Sequence, residues 1–182
     1  MKRLLLVIFL AWATSHITPA AVMAQPPCVG TSGSATIGGT AWVADCVFAI
    51  TAPDCVDSTG TNYECFEILG TDSTEGSAYS VVAIFLAQPP VQGNTYALGG
   101  TSGHAAMVVG SLAFSVTADA PYVGSVHVTL YDAGAGTIEC TFSFLARSLF
   151  GPGDLAVTNG TFSGRLVPVT PATWSAMKQI YR

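Results

Sequence analysis

Gly136-Thr137-Ile138-Glu139-Cys140-Thr141-Phe142-Ser143-Phe144-Leu145-Ala146-Arg147 decides the fold class of this chain. Ile138, Cys140, Phe142 and Phe144 fall on one side of an extended backbone, and Thr137, Glu139, Thr141 and Ser143 on the other. Successive side chains of a strand point to opposite faces, so strict alternation of apolar with polar residues marks a strand buried on one side only. Just upstream, Val126, Val128 and Leu130 alternate with Ser125, His127 and Thr129 in the same way. Asp132-Ala133-Gly134-Ala135-Gly136 lies between the two runs and tolerates positive φ, which predicts a hairpin.

The same logic extends outward in both directions. Trp42, Ala44, Cys46, Phe48 and Ile50 share one face of a strand with Asp45 opposite, and Leu112, Phe114 and Val116 share another with Ser111, Ser115 and Thr117 outward. Residues 77–87 are apolar on both faces, as befits a central strand or one lying against a partner surface. Weaker strand signals cover 62–70 and 104–109, and 154–167 reads as one strand or two, broken near Asn159-Gly160. Seven to nine antiparallel strands at this spacing predict an all-β sandwich or closed barrel, and periodicity does not choose between them. The expected core holds Trp42, Phe48, Phe114, Val128, Phe142, Phe144 and Phe162. Only the end differs. Thr170 and Pro171 make an N-cap and first-turn pair, and Trp174, Met177 and Tyr181 recur at helical spacing, so a short helix is expected over 171–181. A frayed tail is the alternative.

Residues 1–24 carry a short basic start (Lys2, Arg3), an apolar run over 4–13, and small residues at Val22-Met23-Ala24 before Gln25. This is the pattern of a secretory signal peptide, with a run too short to span a membrane. The expected mature chain is a single domain over 25–182, secreted or periplasmic, with no transmembrane segment. It retains all eleven acids and four bases (Arg147, Arg165, Lys178 and Arg182), a formal charge of −7. That balance repels phosphate backbones, so nucleic acid is excluded as a partner, and anionic membrane surfaces are disfavoured.

Five cysteines enter an oxidising compartment, where disulfides are the default. Cys46 and Cys140 both point to the core side of their strands and are expected to pair, or else to stay as two buried thiols. Cys55 and Cys65 flank an acidic, loop-like segment and form the second expected bridge. Cys28 is then left over. Lipidation of Cys28 is disfavoured because Gln25-Pro26-Pro27 precedes it in place of an apolar residue and two small ones.

The stretch 136–146, followed by Leu155-Ala156-Val157-Thr158-Asn159-Gly160-Thr161-Phe162, resembles a group of small secreted bacterial envelope domains, many of them lipoproteins. Their ending reads G-x-I-x-G-T-F-S-F-x-A and then V-T-N-G-x-F. Gly39-Thr40-Ala41-Trp42-Val43-Ala44 and Gly93-Asn94-Thr95-Tyr96-Ala97-Leu98-Gly99 correspond to the start and middle of the same pattern. The resemblance covers about 38–166 and implies a β fold in the envelope, without an activity. Cys140 departs from it, standing where the family has a small residue, and the Cys55–Cys65 segment has no counterpart.

No chemistry stands out. His104 follows a Ser102-Gly103 turn and His127 lies on an outward face, without a G-x-S-x-G elbow, an H-E-x-x-H or a C-x-x-C in the chain. Six of the eleven acids cluster at Asp54, Asp57, Glu64, Glu67, Asp72 and Glu75; Asp54, Asp57 and Glu64 are weak calcium candidates, against the alternative of a solvated acidic rim. Tyr79, Tyr96, Tyr122, Tyr131 and Trp174 either line a ligand surface or cover the core edges. Asn159-Gly160-Thr161 matches a glycosylation sequon and reads more simply as a turn. The expectation is a non-catalytic binding or envelope accessory domain with no catalytic residues, cofactor or resident metal. Its partner is an envelope protein, a glycan or a small apolar ligand. A calycin-like barrel carrying an apolar ligand is the alternative, and a hydrolase comes third.

Overall fold

Among the described residues, eleven strands form: β1 (Ser32–Ile37), β2 (Thr40–Ala44), β3 (Cys46–Val56), β4 (Asn62–Asp72), β5 (Ser80–Leu86), β6 (Thr95–Leu98), β7 (Gly103–Val109), β8 (Leu112–Ser115), β9 (Gly124–Asp132), β10 (Thr137–Ser148) and β11 (Asp154–Leu166). The computed structural model describes residues 28, 30–56, 62–72, 80–117 and 120–167, with side chains described for all of these except 52–56 and 62–63. The expected signal peptide (1–24) and C-terminal helix (171–181) lie outside the described residues. The strand count exceeds the expected seven to nine. Short edge strands such as β2 and β6 are too brief to show a period of their own.

One sheet contains every strand, in the order β2-β1-β11-β3-β4-β5-β7-β8-β10-β9-β6, and an additional β11–β10 pairing closes part of it into a ring. Two layers result: β2-β1-β11-β10-β9-β6 and β3-β4-β5-β7-β8. The first corner is the parallel pairing of Arg165 with Phe48 and Leu166 with Ala49. The second is the pairing of Arg147 with Ser115 and Ser148 with Phe114. Such an architecture is sandwich-like in its layers and barrel-like at its corners, and it includes a parallel pair among otherwise antiparallel ones.

β10 alternates as its sequence demands, burying Ile138, Cys140, Phe142, Phe144 and Ala146. Its hairpin with β9 is held by Asp132, whose Oδ1 accepts from the backbone N–H groups of Gly134 (2.8 Å) and Ala135 (2.9 Å). One residue of β9 breaks the expected phase. The β9–β10 register slips between Glu139 and Cys140, leaving Thr129 as the extra residue of a bulge. A bulge turns every later side chain to the other face. Leu130, expected inside, therefore points outward, and Tyr131 packs edge-on against Phe66 with ring centroids 5.7 Å apart.

The expected single strand through Trp42 and Ile50 is two. β2 ends and the chain bends at Asp45, whose N–H donates to Thr71 O at 2.8 Å, before β3 begins in the other layer. Crossing that corner shifts the phase. Trp42 and Ala44 face the core, as do Val47 and Ala49, while Phe48 and Ile50 face outward. Phe48 is thus not a core residue.

The main core draws on both layers: Trp42, Phe142, Phe144 and Phe162 from one, and Phe66, Ile68, Ile84, Met107 and Phe114 from the other. Trp42 donates from Nε1 to Ser80 Oγ at 2.8 Å, so its polar edge is satisfied inside. Phe162 packs tilted against Phe142 at 4.5 Å and edge-on to Trp42 at 6.2 Å. Missing side chains make room for these rings. A Cβ at Gly70 would run into the Phe162 ring, and one at Gly160 into the Phe142 ring. Asn159-Gly160 is therefore not a turn; Asn159 sits at φ 52° in a bulge within a continuous β11.

The disulfides also depart from expectation. Cys46 is bonded to Cys28, and Cys140 is a buried free thiol. The corner at Asp45 explains this, because it puts Cys46 at the layer edge, away from the core position held by Cys140. Burial pushes the Cys140 thiol up to about 12, so it stays protonated. Cys65 is disulfide-bonded; its expected partner Cys55 lies outside the residues whose side chains are described.

Candidate functional site

The two layers present opposite chemistries to the outside. On the five-stranded layer, residues facing away from the core are themselves apolar and covered: Ile50, Cys65, Ala83, Ala106, Val108 and Ala113 are buried, and Phe48, Leu69, Val81 and Phe85 are half-buried. Among them lie the few groups able to do acid–base chemistry. Strand register sets one row across this face, Ile50 (β3), Glu67 (β4), Phe85 (β5) and His104 (β7). The Val116 N–H donates to Ala105 O at 2.9 Å, continuing the β7–β8 ladder so that Thr117 lies across from His104.

His104, expected just after a turn at the start of a weak strand, sits on β7, half-buried, with Nε2 at 3.0 Å from Ser115 Oγ and its ring 6.1 Å from that of Phe85. Burial lowers the pKa of the imidazole, which favours its neutral form. The Ser115 hydroxyl also lies 3.3 Å from Val116 O. The hydroxyl thus has two neighbours, His104 Nε2 and Val116 O, and its proton can be directed to either. Among the described residues, no carboxylate is hydrogen-bonded to the His104 ring. Glu67 lies two strands from His104 with Phe85 between, about 9–10 Å at ordinary strand spacing. Thr117 Oγ1, buried nearby, has no hydrogen-bond partner among the described residues. The row is a set of polar inclusions in an apolar face.

Desolvation by burial raises the Glu67 pKa from 4.5 to about 7. The unfolded chain ionises near the ordinary value while the folded carboxyl keeps its proton, so stability falls as pH rises from about 4.5 to about 7 and levels off above. The loss is expected to be about 1–3 kcal/mol, discounted for residual solvent contact. Glu67→Gln should remove that slope in urea unfolding measured from pH 4.5 to 8. An unchanged slope would show that Glu67 is ionised in the native state.

The six-stranded layer shows hydroxyls to the outside. Register aligns Ser34, Thr161, Thr141, His127 and Thr95 in a transverse row from β1 to β6. Ser34 Oγ and Thr161 Oγ1 are 2.9 Å apart, and Thr95 Oγ1 is 3.0 Å from His127 Nδ1. The Asn159 bulge opens a shallow depression of about 460 Å³ beside this row. It is lined by Ser125, His127, Thr141, Ser143, Asn159 and Thr161 over the backbone at Phe142 and Gly160, with no Asp, Glu, Lys or Arg. A second depression adjoins it at Thr129 and Glu139.

The other candidates do not converge. Glu64 is exposed on β4, while Asp54 and Asp57 lie outside the residues whose side chains are described. Among the described residues, no three of His, Cys, Asp and Glu are grouped to hold a metal ion, and no helix is long and apolar enough to cross a membrane. Tyr96 accepts the Val91 N–H at its hydroxyl (2.7 Å), Tyr131 packs on Phe66, and Arg147 lies 5.6 Å over Tyr122; Tyr79 and Trp174 are outside the described residues. The sequence reading missed the Ser115 contact and the hydroxyl row, because both depend on strand register, which sequence periodicity does not set. No family model, curated protein or solved structure matches the chain.

Proposed function

We propose that the chain is an exported, non-catalytic β domain, secreted or periplasmic, that serves as a binding or envelope accessory module. Its contact surface is the hydroxyl-lined depression at the Asn159 bulge. The observation that carries this reading is the pairing of a side-chain-filled interior with an exposed, hydroxyl-lined depression that holds no Asp, Glu, Lys or Arg. An interior occupied by Phe66, Phe142, Phe144, Phe162 and Met107 favours an outside ligand over one held in a lumen. Hydroxyl, amide and imidazole groups without formal charge complement a neutral, hydroxyl-bearing ligand, which in the envelope means a glycan. Disulfides at Cys28–Cys46 and at Cys65 suit an oxidising compartment. The half-buried His104–Ser115 pair, with no carboxylate hydrogen-bonded to His104 among the described residues, favours a reading without hydrolysis.

Isothermal calorimetry of the exported protein against neutral envelope oligosaccharides tests it, with Thr141→Lys as the control. Thr141 is exposed in the middle of the row, so the lysine should leave the fold intact and weaken binding at least tenfold. Equal binding by the variant would place the ligand elsewhere, and glycan cleavage lost in His104→Ala would overturn the non-enzymatic reading.

A further inference from the structure

The transverse row on the six-stranded layer has a fixed pitch. Ser34 (β1), Thr161 (β11), Thr141 (β10), His127 (β9) and Thr95 (β6) occupy successive strands. A polar group therefore recurs about every 4.8 Å, and the row spans about 19 Å. Polar runs along single strands are shorter. On β10, Thr141 and Ser143 lie between Glu139 and Leu145, and on β11 the run that includes Thr161 and Ser163 ends at Arg165. An uncharged ligand thus meets its longest unbroken series of partners by crossing the strands. Part of the row is already oriented. Ser34 Oγ pairs with Thr161 Oγ1 at one end, Thr95 Oγ1 pairs with His127 Nδ1 at the other, and Thr141 stands exposed between them. Each contact leaves further hydroxyl lone pairs, and the second ring nitrogen of His127, to a ligand. The row also has a defined end. Beyond Ser34 the register continues to Val43 on the edge strand β2, which is 63% exposed and carries no polar group.

We propose that this row is the track of a straight, neutral, β-(1→4)-linked glycan laid across the strands, with about one sugar per strand and about five sugars in contact. The proposal rests on the glycan-binding reading of this layer and adds the linkage, direction and length of the ligand. Linkage follows from the pitch. A β-(1→4) bond joins equatorial positions, so successive pyranose rings form a nearly straight ribbon whose rise per sugar is close to one strand spacing, with hydroxyls along its edges. An α-(1→4) chain coils away from a straight row. Neutrality follows from the five side chains themselves, four hydroxyls and an imidazole, none of them an Asp, Glu, Lys or Arg. A charged polymer would find no counter-charge along the track.

Calorimetry of the exported protein tests this with β-(1→4)-linked glucose and N-acetylglucosamine oligosaccharides of increasing length, beside an α-(1→4)-linked glucose series. In at least one β-linked series, affinity should rise by about tenfold or more from the disaccharide to the pentasaccharide and then level off. The α-linked series should show no such rise. Val43→Thr keeps the shape of an exposed side chain and adds a hydroxyl on the next strand. It should move the plateau from five sugars to six, tightening the hexasaccharide by about threefold. Affinity independent of length, equal binding of the α-linked series, or a plateau that Val43→Thr leaves in place overturns the track while glycan binding itself stands. Failure of every neutral oligosaccharide to bind overturns both.

Discussion

Phe162→Ala is expected to lower the unfolding free energy by about 3–5 kcal/mol, the range for removing a buried aromatic ring that leaves a cavity. Phe162 lies at the junction of the layers, 4.5 Å from Phe142 and 6.2 Å from Trp42, and is 2% exposed. Its ring fills the space left by the missing side chain of Gly70 on β4. Collapse around the cavity would require a backbone shift of two paired strands, so relaxation recovers little. The denaturation midpoint in urea should fall with an unchanged slope. A loss under about 1 kcal/mol would mean that the rings do not pack across the layers as described.

The second large effect concerns the Cys28–Cys46 bridge. Its sequence separation is 18, and closing a loop of that size restrains the unfolded chain by about 3 kcal/mol. The bridge also holds the corner at which the chain passes from β2 to β3. Thr31 reinforces it, donating to Cys28 O at 3.0 Å and accepting from the Val47 N–H at 3.2 Å. Replacing both cysteines by alanine should lower the thermal midpoint by about 6–12 °C in a domain of this size. Calorimetry of the double variant checks it. A midpoint equal to that of the parent would show that the corner is held without the bridge.

Much of the fold was legible because β10 and its hairpin partner bury one face and wet the other. The failures have one physical origin. Alternation predicts faces only while the chain runs straight, and both the Thr129 bulge and the Asp45 corner change the phase. Leu130, Phe48 and the Cys46–Cys140 pairing were misplaced for that reason. His104 stood at the start of a weak strand signal just after the Ser102-Gly103 turn, and β7 covers that strand. Its environment depends on Phe85 and Ser115, which only register brings beside it. The hydroxyl row was present in the sequence as outward Ser and Thr residues. Its alignment across five strands was not.

The most direct test of the account is a chemical-shift map of the isotope-labelled exported protein titrated with neutral envelope oligosaccharides. The account predicts saturable shifts confined to Ser125, His127, Thr141, Ser143, Asn159 and Thr161 and their immediate neighbours, with the oligosaccharide recovered intact. Shifts centred on interior residues such as Phe66 and Phe114, or conversion of the oligosaccharide to product, would contradict it.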